Sequence, residues 1–213
     1  FGEDYHHVLK DKLKSLLKFI NESITETNGR CFVDSAPVLE RDWALRSGNG
    51  WVGKNSLMIH PRKGSYFFLA ELIIDLEVEY DQPFSKNYCG SCTRCIDACP
   101  TGAIAKDGYV VDSNKCISYL TIEYKGEIPS EYKDKFSKWI FGCDICQEVC
   151  PWNRFSTSHT EETFNANEKL QNMERSTQWL ELTEEVFQQL FRRSAVKRTK
   201  YDGLKRNIFF LLK

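Results

Sequence analysis

The sequence predicts an α+β chain in three parts: mixed helix and strand over 1–80, a cysteine-rich section over 81–160, and a helical segment over 161–213. Three observations predict it. Leucines at helical spacing open the chain, eight of the nine cysteines crowd its middle at short gaps, and an apolar stripe of helical period returns near the end.

In order, residues 4–22 read as an amphipathic helix, with Leu9, Leu13, Leu16, Leu17 and Ile20 at helical spacing and lysines between them. Residues 31–64 hold turns, at Asp34-Ser35-Ala36-Pro37 and at Ser47-Gly48-Asn49-Gly50, and Ser56 to Ile59 looks like a short strand. Residues 66–79 are dense in Phe, Leu, Ile and Val, which predicts a buried strand. Asp81 to Asn87, containing Pro83, reads as a linker. Ser176 to Arg193 predicts a helix with Leu180, Val186, Phe187, Leu190 and Phe191 on its apolar stripe, and another helix starts at Asp202. Such pairs suggest the first unit of a helical repeat.

Composition narrows the function. A net charge of −1, with 41% hydrophobic and 28% charged residues, is that of a soluble globular protein and argues against disorder. There is no uninterrupted run of about 18 apolar residues, so no membrane span is expected. Residues 1–20 do not have the form of a signal peptide. The tight cysteine gaps suit metal ligation better than a disulfide framework, and they point to a reducing, cytoplasmic setting.

Cys89, Cys92, Cys95 and Cys99 follow C-x2-C-x2-C-x3-C, with Pro100 next. This run holds [4Fe–4S] clusters in bacterial ferredoxins. Short gaps let three thiolates wrap one cubane face. The fourth, ahead of a proline expected to open a helix, ligates the other cluster. A second run is incomplete: Cys143, Cys146 and Cys150-Pro151 match its last three positions, and Ile140 stands where the first cysteine is expected. Cys116 is the available substitute. One cluster then takes Cys89, Cys92, Cys95 and Cys150, and the other takes Cys99, Cys116, Cys143 and Cys146. Structural zinc seldom uses this run. Cys31 is left over and reads as a small buried hydrophobe. Clusters move single electrons and do not name a substrate.

Gly48 to Asn55 reads G-x-x-x-x-G-K-N, one residue short of a phosphate-binding loop. Asn55 replaces the magnesium-binding hydroxyl and a strand follows instead of a helix, so that reading is rejected. The glycines still allow close approach of a large ligand, or form an ordinary turn. Asp34 is either a turn aspartate or a general acid beside a reducing centre; local sequence leaves both open. Arg192, Arg193, Lys197, Arg198, Lys200, Lys205 and Arg206 fall within fifteen residues, as a solvated face or as phosphate contacts.

Several segments occur together in one order: Phe32-Val33-Asp34-Ser35-Ala36-Pro37, Gly50-Trp51-Val52-Gly53-Lys54-Asn55, the ferredoxin run, Cys116-Ile117-Ser118-Tyr119-Leu120-Thr121, Gly142-Cys143-Asp144-Ile145-Cys146-Gln147 and Ala195-Val196-Lys197-Arg198-Thr199-Lys200. Gly203-Leu204 and Arg206-Asn207 close the series. The set resembles the epoxyqueuosine reductase family over nearly the whole chain. The resemblance implies part of a cobalamin-binding α/β domain over 1–80, a ferredoxin-like domain with two [4Fe–4S] clusters over 81–160, and a HEAT-like tRNA-binding segment over 161–213. It implies further sequence ahead of Phe1 and helical repeats after Lys213. It also implies reduction of the epoxide of epoxyqueuosine, at the tRNA wobble position, to the alkene of queuosine.

By the same resemblance Asp34 is the proton donor, its pKa raised by burial against the corrin. Asp34, Asn55, Met58, Leu69, Ser118 and Cys143 are implied cobalamin contacts. Arg193, Lys197, Arg198, Lys200 and Arg206 are expected at tRNA, and the partners are that tRNA and an unspecified electron donor. A monomer is expected. Two other readings stay open. A two-cluster ferredoxin-type electron carrier leaves residues 1–80 and the basic segment without a role. A cobalamin-dependent reductive dehalogenase fits the basic segment poorly.

Overall fold

The computed structural model describes residues 2–166, 168–171, 173 and 176–212. Helix α1 (Tyr5–Ser23) begins where the Asp4 side chain accepts a hydrogen bond from the His6 backbone N–H. Then come β1 (Gly29–Phe32), α2 (Glu40–Arg46), β2 (Trp51–Val52), β3 (Met58–Ile59) and β4 (Glu71–Ile74). β1 pairs antiparallel with β4, Gly29 opposite Ile74 and Phe32 opposite Glu71. At its end Asp75 accepts from the Thr27 hydroxyl and from the backbone and side-chain N–H groups of Asn28. Those bonds, the one from Thr27 foremost, hold its carboxyl down to about 2. Leu17 of α1 packs over Gly29, where a Cβ would crowd it.

β2 and β3 form a separate antiparallel hairpin; of the strand expected over 56–59 only Met58 and Ile59 are extended, while Ser56, at φ 62°, belongs to the turn. Gly50 enters it at φ 149°, and a Cβ there would strike the Ile59 carbonyl, so only glycine fits. The buried strand expected over 66–79 is reduced to β4. Phe68, Ile73 and Val78 are exposed. A two-stranded sheet backed by one helix has only one covered face, so apolar density alone does not bury these side chains. The α1 stripe is likewise half open: no α1 residue is buried, and Leu16 and Phe19 face outward.

The central section has little regular structure: α3 (Arg94–Asp97), α4 (Ile117–Ile122) and α5 (Ile145–Glu148), with 3-10 turns at Ser113–Lys115, Ser130–Lys135 and Pro151–Phe155. α3 and α5 each sit inside a cysteine run and pack on one another. Pro151 opens a helical turn but Pro100 does not. Thr101 and Gly102, at φ 63°, turn the chain into the Ile104–Val111 bridge instead. Ile117, Leu120, Ile128, Tyr132 and Phe136 form this section's core.

The remaining helices are α6 (Glu168–Gln171), α7 (Ser176–Leu180), α8 (Glu184–Leu190) and α9 (Lys200–Leu212). The single helix expected over 176–193 is broken between Leu180 and Glu184. Thr183 accepts from the Val186 N–H and starts a new helix, and Leu182 turns inward. That rotation leaves Val186, expected on the apolar stripe, exposed. Leu182, Phe187, Leu190, Phe191, Val196, Leu204 and Ile208 make a second core. Asn207 joins the two sections, donating to the carbonyls of Thr121 and Ile140.

Candidate redox and substrate site

The eight clustered cysteines gather into two groups of four. Burial raises the Cys95 thiol, and repulsion from Cys89, Cys150 and Cys92 raises it further. Cys150 is pushed up by burial and by Cys89 and Cys92. Burial pushes Cys143 up to about 11, with Cys116 and Cys99 beside it. Cys146 goes up to about 12, from burial and then Cys143 and Cys116. These are the two sets expected from sequence, with Cys150 crossing to the first run and Cys99 to the second. Cys95 also acts on Cys146, so the groups approach each other there.

Each group lines a cavity. Cys89, Cys92, Cys95 and Cys150 surround one with Lys54, Tyr88 and Trp152. Cys99, Cys116, Cys143 and Cys146 line another of about 570 Å³. Among the described residues no group of three or more His, Cys, Asp or Glu side chains is set to clasp a metal ion. The sulfurs instead ring open spaces, as terminal ligands of a polynuclear cluster must. Four thiolates held this close repel one another unless positive iron lies between them, so the donor set fits two iron–sulfur clusters. Cys31 stands apart, half-buried on β1 opposite Leu72.

Asp34 sits at φ 52° in the turn after β1. Its side chain is 60% exposed to the space that the cavity opens on. The Tyr5 hydroxyl donates to Asp34 Oδ2 at 3.0 Å, and His6 Nε2 lies 3.4 Å from the same oxygen. Asp4 accepts from the other His6 nitrogen at 2.7 Å when that nitrogen carries the proton. The Asp34 backbone N–H donates to Glu40 at 2.5 Å. Burial, then the charge of Asp34, raises the Tyr5 hydroxyl well above its usual range, so it stays a donor.

Met58 and Leu69 line one cavity with Asp34. Asn55, Ser118 and Cys143 line the cavity of the second cysteine group. Arg41 and Leu57 belong to both cavities, which makes them neighbours. Asn55 is buried, and its amide leans toward Cys146, which works against that thiol's rise. Its Nδ2 nevertheless has no partner at hydrogen-bonding distance, so this is an electrostatic approach without a formed bond. Sequence reasoning missed Tyr5, His6, Glu40 and Arg41. They follow no metal or catalytic spacing, and only the fold brings them to Asp34.

The basic segment is unevenly available. Arg206 donates to the carbonyls of Leu120, Tyr124 and Gly126, and Lys205 to those of Leu180 and Leu182. Both are internal fasteners here. Arg198 makes a two-point contact with Glu123, and Arg193 an ion pair with Glu3. Lys197 and Lys200 are exposed. Glu123, by its hydrogen bonds and then its charge, raises the Arg198 guanidinium.

Residues 88–153 match the model of a 4Fe-4S double cluster binding domain. Residues 1–35 match that of epoxyqueuosine reductase QueG, DUF1730. An epoxyqueuosine reductase of Cyclobacterium marinum is 58% identical over 211 residues, covering 99% of this chain and 66% of that protein. The solved epoxyqueuosine reductase of Streptococcus thermophilus superposes with a TM-score of 0.87 at 38% identity, over 100% of this chain and 55% of that one. An epoxyqueuosine reductase solved with an epoxyqueuosine-modified tRNA-Tyr stem loop gives 0.90 at 32% identity, over 100% and 55%. The chain thus spans between about half and two thirds of the length of these relatives. By whole-chain similarity and by its paired cysteine sets, it belongs to the epoxyqueuosine reductase family.

Proposed function

We propose that this chain carries the reductive centre of an enzyme that converts epoxyqueuosine to queuosine at the wobble position of tRNA, in the cytoplasm. The observation that carries this reading is an adjacency. The Asp34 cavity abuts the cavity of the second cysteine group through Arg41 and Leu57. Residues 161–213 would serve as the HEAT-like tRNA-binding part, and residues 1–80 as part of the cobalamin domain.

The residues present fit cobalamin along one side. Met58 and Leu69 offer apolar surface, and the Asn55 amide is a buried donor without a partner. Ser118 and Cys143 complete the set from the neighbouring cavity. When bound, the clusters supply single electrons and cobalamin a low-valent metal centre for the epoxide. The net reaction takes the epoxide, two electrons and two protons to an alkene and water. Asp34 would hold one proton at Oδ2 and give it to the epoxide oxygen, so that the oxygen leaves as water. Tyr5 and His6 orient that carboxyl. Cys95 and Cys146 keep the path between the cysteine groups short. Lys197 and Lys200 would meet phosphates directly, and Arg193 and Arg198 by exchanging a carboxylate partner for one. The wobble base must leave its stack to reach Asp34.

The test is turnover of epoxyqueuosine-containing tRNA by cobalamin-loaded protein with a strong reductant. Asp34→Asn is expected to lose at least 100-fold in rate, the range of a general acid, with iron content unchanged. Equal turnover by the variant sinks the acid role, and absence of turnover in the loaded wild type sinks the whole reading.

A further inference from the structure

The glycines of Gly48 to Asn55 allow, by sequence, either the close approach of a large ligand or an ordinary turn. In the structure side chains of this segment reach the first cysteine group. Trp51 is 2% exposed on β2, and its indole Nε1–H donates to Cys89 Sγ at 3.5 Å. The edges of Tyr88 and Trp152 meet the ring at centroid distances of 5.2 and 4.9 Å, so it cannot turn away. Indole nitrogen is a donor only, so the contact has one polarity. Three residues on, Lys54 Nζ donates to the Gly90 carbonyl at 2.7 Å and to the Cys92 carbonyl at 3.0 Å. This sets a positive charge against the loop that bears Cys89 and Cys92.

We propose that Trp51 and Lys54 form a clamp that raises the reduction potential of the cluster held by Cys89, Cys92, Cys95 and Cys150. Reduction adds one electron to a group already rich in negative charge. A donor on a ligand sulfur and a cation beside the loop both favour the reduced form. Neither residue ligates iron; both act through the sulfurs and the loop as positioning residues. The inference depends on the clusters and not on the reaction proposed above, so each can fail without the other.

The experiment is an EPR-monitored redox titration of the anaerobically reconstituted protein, with iron and sulfide counted beforehand. Trp51→Phe removes the N–H and keeps an aromatic ring. It is expected to shift one cluster's reduction equilibrium about threefold toward the oxidised form, about 28 mV at 59 mV per tenfold for one electron. The other cluster should hold its midpoint. Lys54→Gln, which changes a half-buried side chain outside the core, should lower the same transition. A purely structural role would cost iron without a selective shift. Should Trp51→Phe fail to load iron, Lys54→Gln decides alone. Midpoints that both stay at wild type, or that move together, overturn the proposal.

Discussion

The cysteine section and the C-terminal helices lie side by side and hold together for different reasons. Over 182–208 the chain buries Leu182, Phe187, Phe191, Val196, Leu204 and Ile208 almost completely. Around the two cysteine runs, 89–99 and 143–150, the inward positions are shared with sulfur, no cysteine is fully buried, and the helical turns α3 and α5 are four residues each; the apolar core of this section, Ile117 to Phe136, lies between the runs. A helix of one turn has almost no stability of its own. The difference teaches that the C-terminal section is folded by apolar packing alone, while the two cysteine runs lean on their iron.

That contrast breaks first, and most visibly, under iron removal. Stripping iron anaerobically should abolish the sulfide-to-iron absorption near about 400 nm. It should also strip amide-exchange protection around the two cysteine runs, 89–99 and 143–150, because without iron nothing ties the four sulfurs of each group together. Residues 182–212 should keep their protection. A uniform loss along the chain would mean the helical part leans on the clusters too. The converse change is Phe187→Ala, which empties a fully buried site. It should cost about 3–5 kcal/mol in thermal or denaturant unfolding of the helical section and leave the iron count unchanged.

How much of this was legible follows the same division. The cysteine groups could be read because ligand spacing is local, down to the crossing of Cys99 and Cys150 and the use of Cys116 where Ile140 interrupts the run. Helix α1 was legible from period alone, and α9 as a helical start at Asp202, two residues inside its actual first residue. The strand over 66–79 was overread because apolar density does not say how many faces a sheet has covered. The helix over 176–193 was overread because Thr183 serves as an N-cap inside an otherwise continuous stripe. The roles of Trp51 and Lys54 were not legible, because β2 and the turn after it carry their side chains onto a loop nearly forty positions away, which no spacing encodes. Arg206 looked like a phosphate contact until its carbonyl partners were seen.

Arg206 therefore tests the seam between the two regions. Its guanidinium is lowered by burial and donates to three carbonyls of the cluster section from a helix of the other. Arg206→Met keeps the stem and leaves those carbonyls without their charged donor. A loss of about 2–3 kcal/mol is expected, the scale of a charged hydrogen bond, with unfolding of the two sections becoming separable by exchange. A single cooperative transition of unchanged midpoint would show that Asn207 and the apolar contacts suffice.

The smallest effect lies in the N-terminal layer and depends on a proton. Burial, reinforced by the charge and hydrogen bond of Glu40, raises the Glu71 carboxyl to about 7. Its Oε2 is buried without a partner, and Glu40 in turn accepts the Asp34 backbone N–H. The folded state thus holds a proton that the unfolded chain releases near its ordinary value of 4.5. The resulting stability is fully present below pH 4.5 and is lost as pH rises through about 7. Glu71 is only partly buried, so solvent softens the slope. Glu71→Gln mimics the protonated form and should flatten the dependence of Tm on pH between 5 and 8. If Tm in the variant falls with pH as steeply as in the wild type, the titrating group is elsewhere and the Asp34 turn does not depend on this carboxyl pair.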